Sequence, residues 1–385
     1  MTRRHPLWRD LLDDDEVAAL EPGLPDRLPR TPDVLVVGGG MVGVATAVAC
    51  RRAGLGTVAL VERSTLGAGA TAGAGGLLVP EAHHDQDSGG IVDLGRLSLA
   101  LWRELDDLVP DGVGLVDMDW LGLEPGPGLS ARLPSGAEML GAEDVARLVP
   151  ELARPVDAVL VRQQARVNPL AALARLAGGL DHVATGVDVT EVVARRGRVV
   201  RVSTTAGAVS PGTLVFATGG PPDVEGLVVS VPASLVKGHI VATEPAPLRL
   251  AVAMPPLVTQ VDGGRLLAGG TLDHRDDSPD VDDAVVASIR ADLEAALPAV
   301  GQARISHAWC CFRPTHPDEL PVVDRVPRLA NAWTTSGHFR TGILMAPATG
   351  RALARWIESG DQPEEVGGLE LARLGERLDI EEESS

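Results

Sequence analysis

The sequence predicts an α/β fold, α+β overall, with a Rossmann-like lobe and a second lobe built mainly from antiparallel sheet. The apolar run Val34–Val37 is typical of a parallel strand buried on both faces. A glycine-rich turn and an alanine-rich stretch follow it, a pattern that indicates strand, turn and helix. From 226 to 275 the chain alternates short strand-like runs with turns, and the turn at 262–264 predicts a hairpin.

Further helices and strands are predicted from spacing and capping signals. The 91–108 stretch has leucines three and four residues apart, which predicts an amphipathic helix. Asn168 and Pro169 predict the start of another helix, because asparagine caps helices and proline suits the first helical position. The other predictions are helices at 44–53, 169–180, 282–297 and 347–359, and strands at 57–61, 187–193, 199–204, 214–216, 257–261 and 265–268.

Composition excludes several classes of protein. The chain has 385 residues and a formal net charge of −19, which repels phosphate backbones and anionic lipid surfaces. We therefore expect neither a nucleic-acid partner nor a membrane partner. The three cysteines are too few for a disulfide scaffold and favour a cytoplasmic location, and no Cys/His cluster suggests a metal site. Lys237 is the only lysine, and tyrosine is absent.

The glycine turn carries the first functional motif. Gly38, Gly40 and Gly43 form G-x-G-x-x-G between a predicted strand and a predicted helix, the context in which the motif binds a dinucleotide. The glycines permit the turn, the approach of a pyrophosphate and close helix packing. Glu62 ends the next strand, where a carboxylate can take ribose hydroxyls. The motif alone fits either FAD or NAD.

Three further segments make the motif specific. A glycine-alanine stretch lies at 67–76, the run 215–220 ends in Thr218-Gly219-Gly220, and Arg313-Pro314 precedes the block 337–349. Together with 34–62, these segments resemble the FAD-dependent D-amino-acid oxidase superfamily, and within it the glycine oxidase and sarcosine oxidase branch. The resemblance covers about residues 33–360.

The resemblance implies FAD as cofactor and a discontinuous domain arrangement. The FAD-binding domain would comprise 31–78, 165–225 and 328–360, and the substrate-binding domain 79–164 and 226–327. Residues 1–30 form an N-terminal extension outside the family pattern, and 361–385 form an acidic C-terminal tail that we expect to be disordered.

The resemblance also implies which positions bind FAD. Around the ADP half these are Gly38, Gly40, Met41, Val42, Gly43, Glu62 and Arg63. Along the ribityl chain, the adenine and the phosphates they are Ala70, Thr71, Gly75, Gly76, Val189, Thr218 and Gly219. Around the flavin ring they are Gly337, Thr341, Gly342 and Ile343, together with His338 and Arg340.

The implied catalytic residues are Arg313, Arg340 and His338. A substrate carboxylate suits a planar bidentate donor, and arginine is charged at any working pH. Arg313 matches the family's carboxylate-binding arginine and Arg340 is a second candidate; the alternative for each is a structural ion pair. His338 is the histidine best placed by motif to take a proton.

Two departures from the family pattern bear on the substrate. Glycine oxidases usually add a tyrosine hydroxyl to the carboxylate clamp, and this chain has no tyrosine. Thr341 stands where the motif usually has asparagine. Both changes favour a wider pocket, for an N-substituted glycine such as an N-carboxymethyl amino acid. The implied reaction moves hydride from the alpha carbon to flavin N5, the imine is hydrolysed, and molecular oxygen reoxidises the flavin to give H₂O₂.

Several alternatives remain open at this level. Cys311 falls where sarcosine oxidases attach the flavin covalently, although a buried cysteine acting as a small hydrophobe is the more common case. The same fold could serve a D-amino-acid or proline-type dehydrogenase with another electron acceptor, or a flavin-binding protein without turnover. The oligomeric state is not predicted.

Overall fold

The computed structural model describes residues 2–24, 28–86, 90–124, 136–255, 257–375 and 377–380. Within these ranges the α-helices are α1 Asp14–Leu20, α2 Met41–Arg52, α3 Ile91–Leu108, α4 Ala142–Leu148, α5 Pro169–Ala177, α6 Asp283–Ala296 and α7 Gly342–Ser359. The 3₁₀ helices are Leu7–Leu11, Pro80–Gln86, Asp262–Gly264, Pro298–Val300, Glu364–Val366 and Leu371–Leu374. The strands are β1 Val34–Val37, β2 Val58–Glu62, β3 Leu77–Leu78, β4 Val116–Leu123, β5 Glu138–Leu140, β6 Ala158–Arg166, β7 His182–Thr185, β8 Val189–Arg195, β9 Arg198–Thr204, β10 Gly207–Val209, β11 Thr213–Gly219, β12 Asp223–Val224, β13 Leu227–Ser230, β14 Ser234–Thr243, β15 Val252–Ala253, β16 Val258–Val261, β17 Arg265–Gly269, β18 Ile305–Thr315, β19 Val322–Arg325, β20 Ala332–Ser336 and β21 Arg377–Ile380.

A six-stranded sheet forms the first lobe, in the order β19-β20-β11-β1-β2-β7. The strands from β20 to β7 pair in parallel, and β19 joins the edge antiparallel to β20. All four residues of β1 are buried, as a central parallel strand requires. The predicted Rossmann-like lobe is confirmed. Its sheet includes β19, which lies ahead of the segment start predicted at 328.

The second lobe is mainly antiparallel. One sheet has the order β16-β17-β14-β18, and another follows β15-β4-β6-β3 with β5 paired to β6. Helix α6 packs its buried Ile289 and Leu293 into a core shared with Val241 and Leu266. The predicted hairpin at 257–268 is present as β16 and β17. Strand β18 at the edge of the first of these sheets contacts the first lobe, because Trp309 Nε1 donates to the Gly73 carbonyl at 3.2 Å.

Helix α7 begins five residues earlier than the prediction, at Gly342 rather than Pro347. Proline has no N–H, so it removes the donor for the Ile343 carbonyl inside the helix. Trp102 on α3 replaces it, since its Nε1 donates to the carbonyls of Ile343 and Leu344, each at 3.1 Å. Ser98 accepts the Ala348 N–H at 3.1 Å. Two side chains of α3 thus satisfy the groups that the proline leaves open.

Both ends of the described chain pack against the body of the protein. In the N-terminal extension, Leu7 and Trp8 are buried, and Trp8 Nε1 donates to the Ala74 carbonyl at 2.7 Å. The expected disorder after 361 is wrong for most of the tail, because Val366 and Leu371 are buried and β21 pairs with β13. Residues 381–385 lie outside the described ranges. Among the described helices, none combines the length and apolarity that a membrane span needs.

Candidate active site

A cavity of about 2040 Å³ runs from the glycine turn after β1, along residues 68–76, to β18 and the start of α7. It is larger than the roughly 300–1,000 Å³ of pockets for drug-sized ligands. The predicted site residues that line it are Gly38, Gly40, Met41, Val42, Glu62, Arg63, Ala70, Thr71, Gly75, Gly76, Val189, Thr218, Gly219, Cys311, Arg313, His338, Arg340, Gly342 and Ile343. Gly43, Gly337 and Thr341 are not among its lining residues.

The glycine turn is shaped by close backbone approaches. Gly38 has φ +114°, and a Cβ there would lie 2.4 Å from the carbonyl oxygen of Ala217 on β11. A Cβ at Gly43 would lie 1.9 Å from the Gly38 carbonyl oxygen, so this glycine serves helix–strand packing instead of the cavity. Thr71 Oγ1 accepts the Met41 N–H at 3.0 Å and joins the turn to the 68–76 segment.

Glu62 is held by the backbone around it. Its Oε2 accepts the Gly39 N–H at 2.7 Å, and its Oε1 accepts the Ser64 N–H at 2.9 Å. Each carboxylate oxygen keeps a further lone pair for a ligand hydroxyl. The carboxylate is therefore fixed at the end of β2, where the cavity passes.

Gly337 and Thr341 shape the loop that carries His338 and Arg340. Gly337 has φ +68°, and a Cβ there would lie 2.2 Å from Cδ2 of His316. Thr341 Oγ1 donates to the His338 carbonyl at 2.7 Å, and this hydrogen bond within the loop holds its backbone turn in place. These two predicted positions therefore support the cavity wall without lining it.

Arg313 enters the cavity from β18. Its Nη1 donates to the Thr271 carbonyl at 2.9 Å, and its guanidinium lies directly over Gly238 on β14. Burial lowers the pKa of Arg313, and the neighbouring charge of Arg340 adds to that effect. The Arg340 guanidinium carbon lies 5.7 Å from the centroid of the Phe339 ring. Two arginines thus face one end of the cavity.

His338 is a buried, neutral imidazole at the same end. Its Nε2 lies 3.1 Å from Thr349 Oγ1 on α7. Burial lowers the pKa of His338 to about 4, and His316 contributes in the same direction. With this pKa the imidazole is a weak base and stays uncharged at neutral pH.

The remaining candidates are held by local contacts. Cys311 Sγ donates to the Gly73 carbonyl at 3.4 Å, and burial raises the pKa of the thiol, which disfavours the reactive thiolate. Lys237 is buried with its Nζ 2.7 Å from both Asp276 Oδ2 and the Asp280 carbonyl. Burial alone would lower the pKa of Lys237, but the bond to Asp276 and nearby acidic charge raise it overall.

The cavity also has lining residues that the sequence did not indicate. Arg4, His5 and Arg9 of the N-terminal extension line it, as do Trp309 and Leu257 of the second lobe. In the extension, Trp8, Leu11, Leu12 and Val17 form a partial apolar stripe, but no motif indicates that the extension reaches the cavity.

The comparisons decide the family. The sequence model of the protein family described as "DAO: FAD dependent oxidoreductase" matches residues 33–356 of the chain. The chain belongs to the DAO family. FAD is therefore its cofactor, and Gly40, where a Cβ would meet only Thr71 Oγ1 at 3.5 Å, leaves the turn open for the close approach of the pyrophosphate.

Similar proteins place the chain within the DAO family. It is 28% identical to a glycine oxidase of Pseudomonas aeruginosa, over 86% of this chain and 95% of the relative. It is 26% identical to a glycine oxidase of Bacillus licheniformis, over 84% and 92%. The crystal structure of glycine oxidase from Geobacillus kaustophilus superposes with a TM-score of 0.78 at 25% identity, covering 90% of this chain and 99% of that one. The two-lobed fold agrees with this match.

Proposed function

We propose that the protein is an FAD-dependent amine oxidase for a glycine-like or N-substituted amino acid, such as an N-carboxymethyl amino acid. The observation that carries this proposal is the pair Arg313 and Arg340 at one end of the cofactor cavity, beside neutral His338. Bound FAD supplies a two-electron acceptor that takes hydride at N5 and returns the electrons to oxygen as H₂O₂.

Arg313 has the geometry of a carboxylate anchor. The bond from Nη1 to Thr271 fixes the plane of its guanidinium and leaves other N–H donors for a substrate. Bidentate arginine–carboxylate pairs give orientation as well as energy. Orientation matters here because the alpha C–H must point at the flavin for hydride transfer.

His338 keeps the reacting end of the cavity free of an additional positive charge. Amino acids reach the enzyme mainly as ammonium species, and hydride leaves only a carbon whose nitrogen has lost its extra proton. The pKa of His338, about 4, makes this imidazole a weak base at pH 7, so that proton leaves to solvent while His338 stays uncharged in its contact with Thr349 Oγ1. Water then adds to the imine and releases the amine and an oxo acid.

The panel of substrates tests the proposal directly. Under anaerobic conditions, the yellow flavin should bleach with glycine, sarcosine or an N-carboxymethyl amino acid, and D-amino acids serve as comparison. On admission of oxygen, one H₂O₂ should form for each substrate oxidised. Bleaching without H₂O₂ would indicate a dehydrogenase with another acceptor, and no bleaching by any amine would contradict the proposal.

A variant pair tests the site assignment. Arg313→Ala should lower kcat/KM by about 10²-fold or more, because a charged hydrogen-bond partner of the substrate is lost. Arg198→Ala, at an exposed arginine of β9, is the control and should match the parent. Equal activity of the two variants would remove Arg313 from the site.

A further inference from the structure

Three potential metal ligands meet where the N-terminal extension crosses β18. His5 and Asp10 come from the extension, and the buried His307 comes from β18. Asp10 Oδ2 lies 3.0 Å from His307 Nε2, and Asp10 Oδ1 lies 3.7 Å from His5 Nε2. One ligand atom from each of the three lies within 4.8 Å of the others. The proposed flavin reaction uses none of them.

Both imidazoles are oriented through their other nitrogen. His5 Nδ1 lies 3.2 Å from the Pro6 carbonyl, which can only accept, so this nitrogen carries the hydrogen. His307 Nδ1 lies 3.0 Å from Ser306 Oγ, whose hydroxyl donates to carbonyls at the end of β14. While that hydroxyl donates to a carbonyl, its oxygen can accept the Nδ1 hydrogen of His307. Such outer hydrogen bonds are typical of metal-binding histidines, and here they leave both Nε2 lone pairs facing Asp10.

The lone pairs of the two Nε2 atoms and of the Asp10 carboxylate point toward the same small space. A neutral His307 Nε2 and a carboxylate oxygen 3.0 Å apart repel each other unless a proton or a cation lies between them. In the tautomer of His307 that carries its hydrogen on Nδ1, no proton lies between these atoms, and a cation would join them.

We propose that His5, Asp10 and His307 bind a divalent transition-metal cation, with Zn²⁺ the best match. Zinc takes nitrogen at about 2.0–2.1 Å and carboxylate oxygen at about 2.0–2.2 Å, so neighbouring tetrahedral ligands lie roughly 3.3 Å apart. His307 Nε2 lies 3.0 Å from Asp10 Oδ2 and His5 Nε2 lies 3.7 Å from Asp10 Oδ1, so small side-chain movements would bring both nitrogens and one carboxylate oxygen to a shared ion. Two histidines and one carboxylate are a ligand set that zinc uses, with water completing the coordination.

Arg3 competes with the cation. Its guanidinium pairs with Asp10 Oδ2, and its side chain is 60% exposed, so it can leave toward solvent. The backbone of Arg3 stays in place, because its N–H donates to Ser306 and its carbonyl accepts from Ala308. A bound cation would therefore replace the guanidinium and fix the extension to β18, beside the cavity that His5 lines.

Zinc titration of the full-length holoenzyme tests the site. After removal of metal with a chelator, calorimetry and elemental analysis should find one tightly bound Zn²⁺ per chain. Asp10→Asn, which keeps the shape of the side chain, and His5→Gln should each weaken that binding by at least about tenfold. Arg3→Gln should strengthen it, because the competing guanidinium is gone.

The control is His274→Gln, which removes an exposed histidine away from the cluster and should bind zinc as the parent does. A second readout is the thermal midpoint, which zinc should raise in the parent but not in Asp10→Asn. Absence of tight zinc in the parent, or equal binding by Asp10→Asn and the parent, would overturn the proposal.

Discussion

Gly238→Ala would displace Arg313 without removing its charge. A Cβ at position 238 would lie 2.0 Å from Nη1, 2.4 Å from Nη2 and 2.5 Å from the guanidinium carbon of Arg313. Ordinary contacts between heavy atoms are about 3.5–4.0 Å, so the guanidinium must move by roughly 1.5 Å. The group is the end of a flexible side chain, so we expect it to swing away while β14 and β18 stay paired.

This displacement breaks the 2.9 Å bond from Arg313 to the Thr271 carbonyl. A misplacement of about 1 Å can cost about 10²-fold in rate when it disturbs substrate orientation. We therefore expect kcat/KM to fall by about 10²-fold, measured as H₂O₂ formation with the best amine substrate. The thermal midpoint and the flavin spectrum should remain close to those of the parent.

Two comparisons make the result interpretable. Gly141→Ala adds a methyl group whose nearest neighbour is Asp157 Oδ1 at 4.0 Å, and it should leave kcat/KM unchanged. Combining Gly238→Ala with Arg313→Ala should be no worse than Arg313→Ala alone, because both changes act through one guanidinium. A folded Gly238→Ala protein within threefold of the parent, or an additive double variant, would refute the reasoning.

Three further predictions concern stability and the cofactor. Trp102→Phe should lower the free energy of unfolding, measured in urea titrations, by about 1–3 kcal/mol more than Trp333→Phe does. The reason is that Trp102 Nε1 donates to two carbonyls, whereas Trp333 Nε1 has no hydrogen-bond partner among the described residues. The folded pKa of His338 is about 4, below its ordinary 6.5, so the unfolded chain takes up a proton at this residue before the folded one does. The contribution of His338 to the free energy of unfolding is therefore complete above pH 6.5 and declines by up to about 3 kcal/mol as the pH falls to 4. The free energy of unfolding of His338→Asn should depend less on pH over that range, and an equal slope would contradict the buried neutral imidazole. Acid precipitation should release all yellow colour into the supernatant, because the raised pKa of Cys311 disfavours a covalent link; colour in the pellet would show the opposite.

The sequence predicted those parts of the fold whose causes are local. Strand β1, the glycine turn and α3 follow from apolar runs and spacing, and the structure confirms their positions. The predicted start of α7 was wrong because proline is favoured at the first helical position, which placed the start at Pro347. In the structure Pro347 lies inside the helix, where Trp102 and Ser98 on α3 bond to the backbone groups around it. That contact joins residues more than 200 positions apart, so local pattern carries no sign of it.

In the candidate site, too, the features set by nearby sequence were predicted, and those set by distant packing were not. Most motif residues line the cavity, because a backbone turn and a strand end are set by nearby sequence. The neutral state of His338 depends on complete burial by distant elements, and sequence has no measure of that. The extension residues that reach the cavity, such as His5, follow from packing of Trp8 against Ala74. Neither effect has a local signature.

The absence of tyrosine bears on what the two arginines bind. Thr341, which replaces the usual asparagine, already donates its hydroxyl to the His338 carbonyl, so it supports the loop and offers no hydrogen to a substrate. A substrate carboxylate in this cavity therefore depends on guanidinium groups, of which Arg313 and Arg340 both line the wall. The charge of Arg340 contributes to the lowered pKa of Arg313, so the two guanidinium groups lie close enough to interact. We therefore expect a substrate with a second carboxylate, such as an N-carboxymethyl amino acid, to bleach the flavin at lower concentration than glycine does.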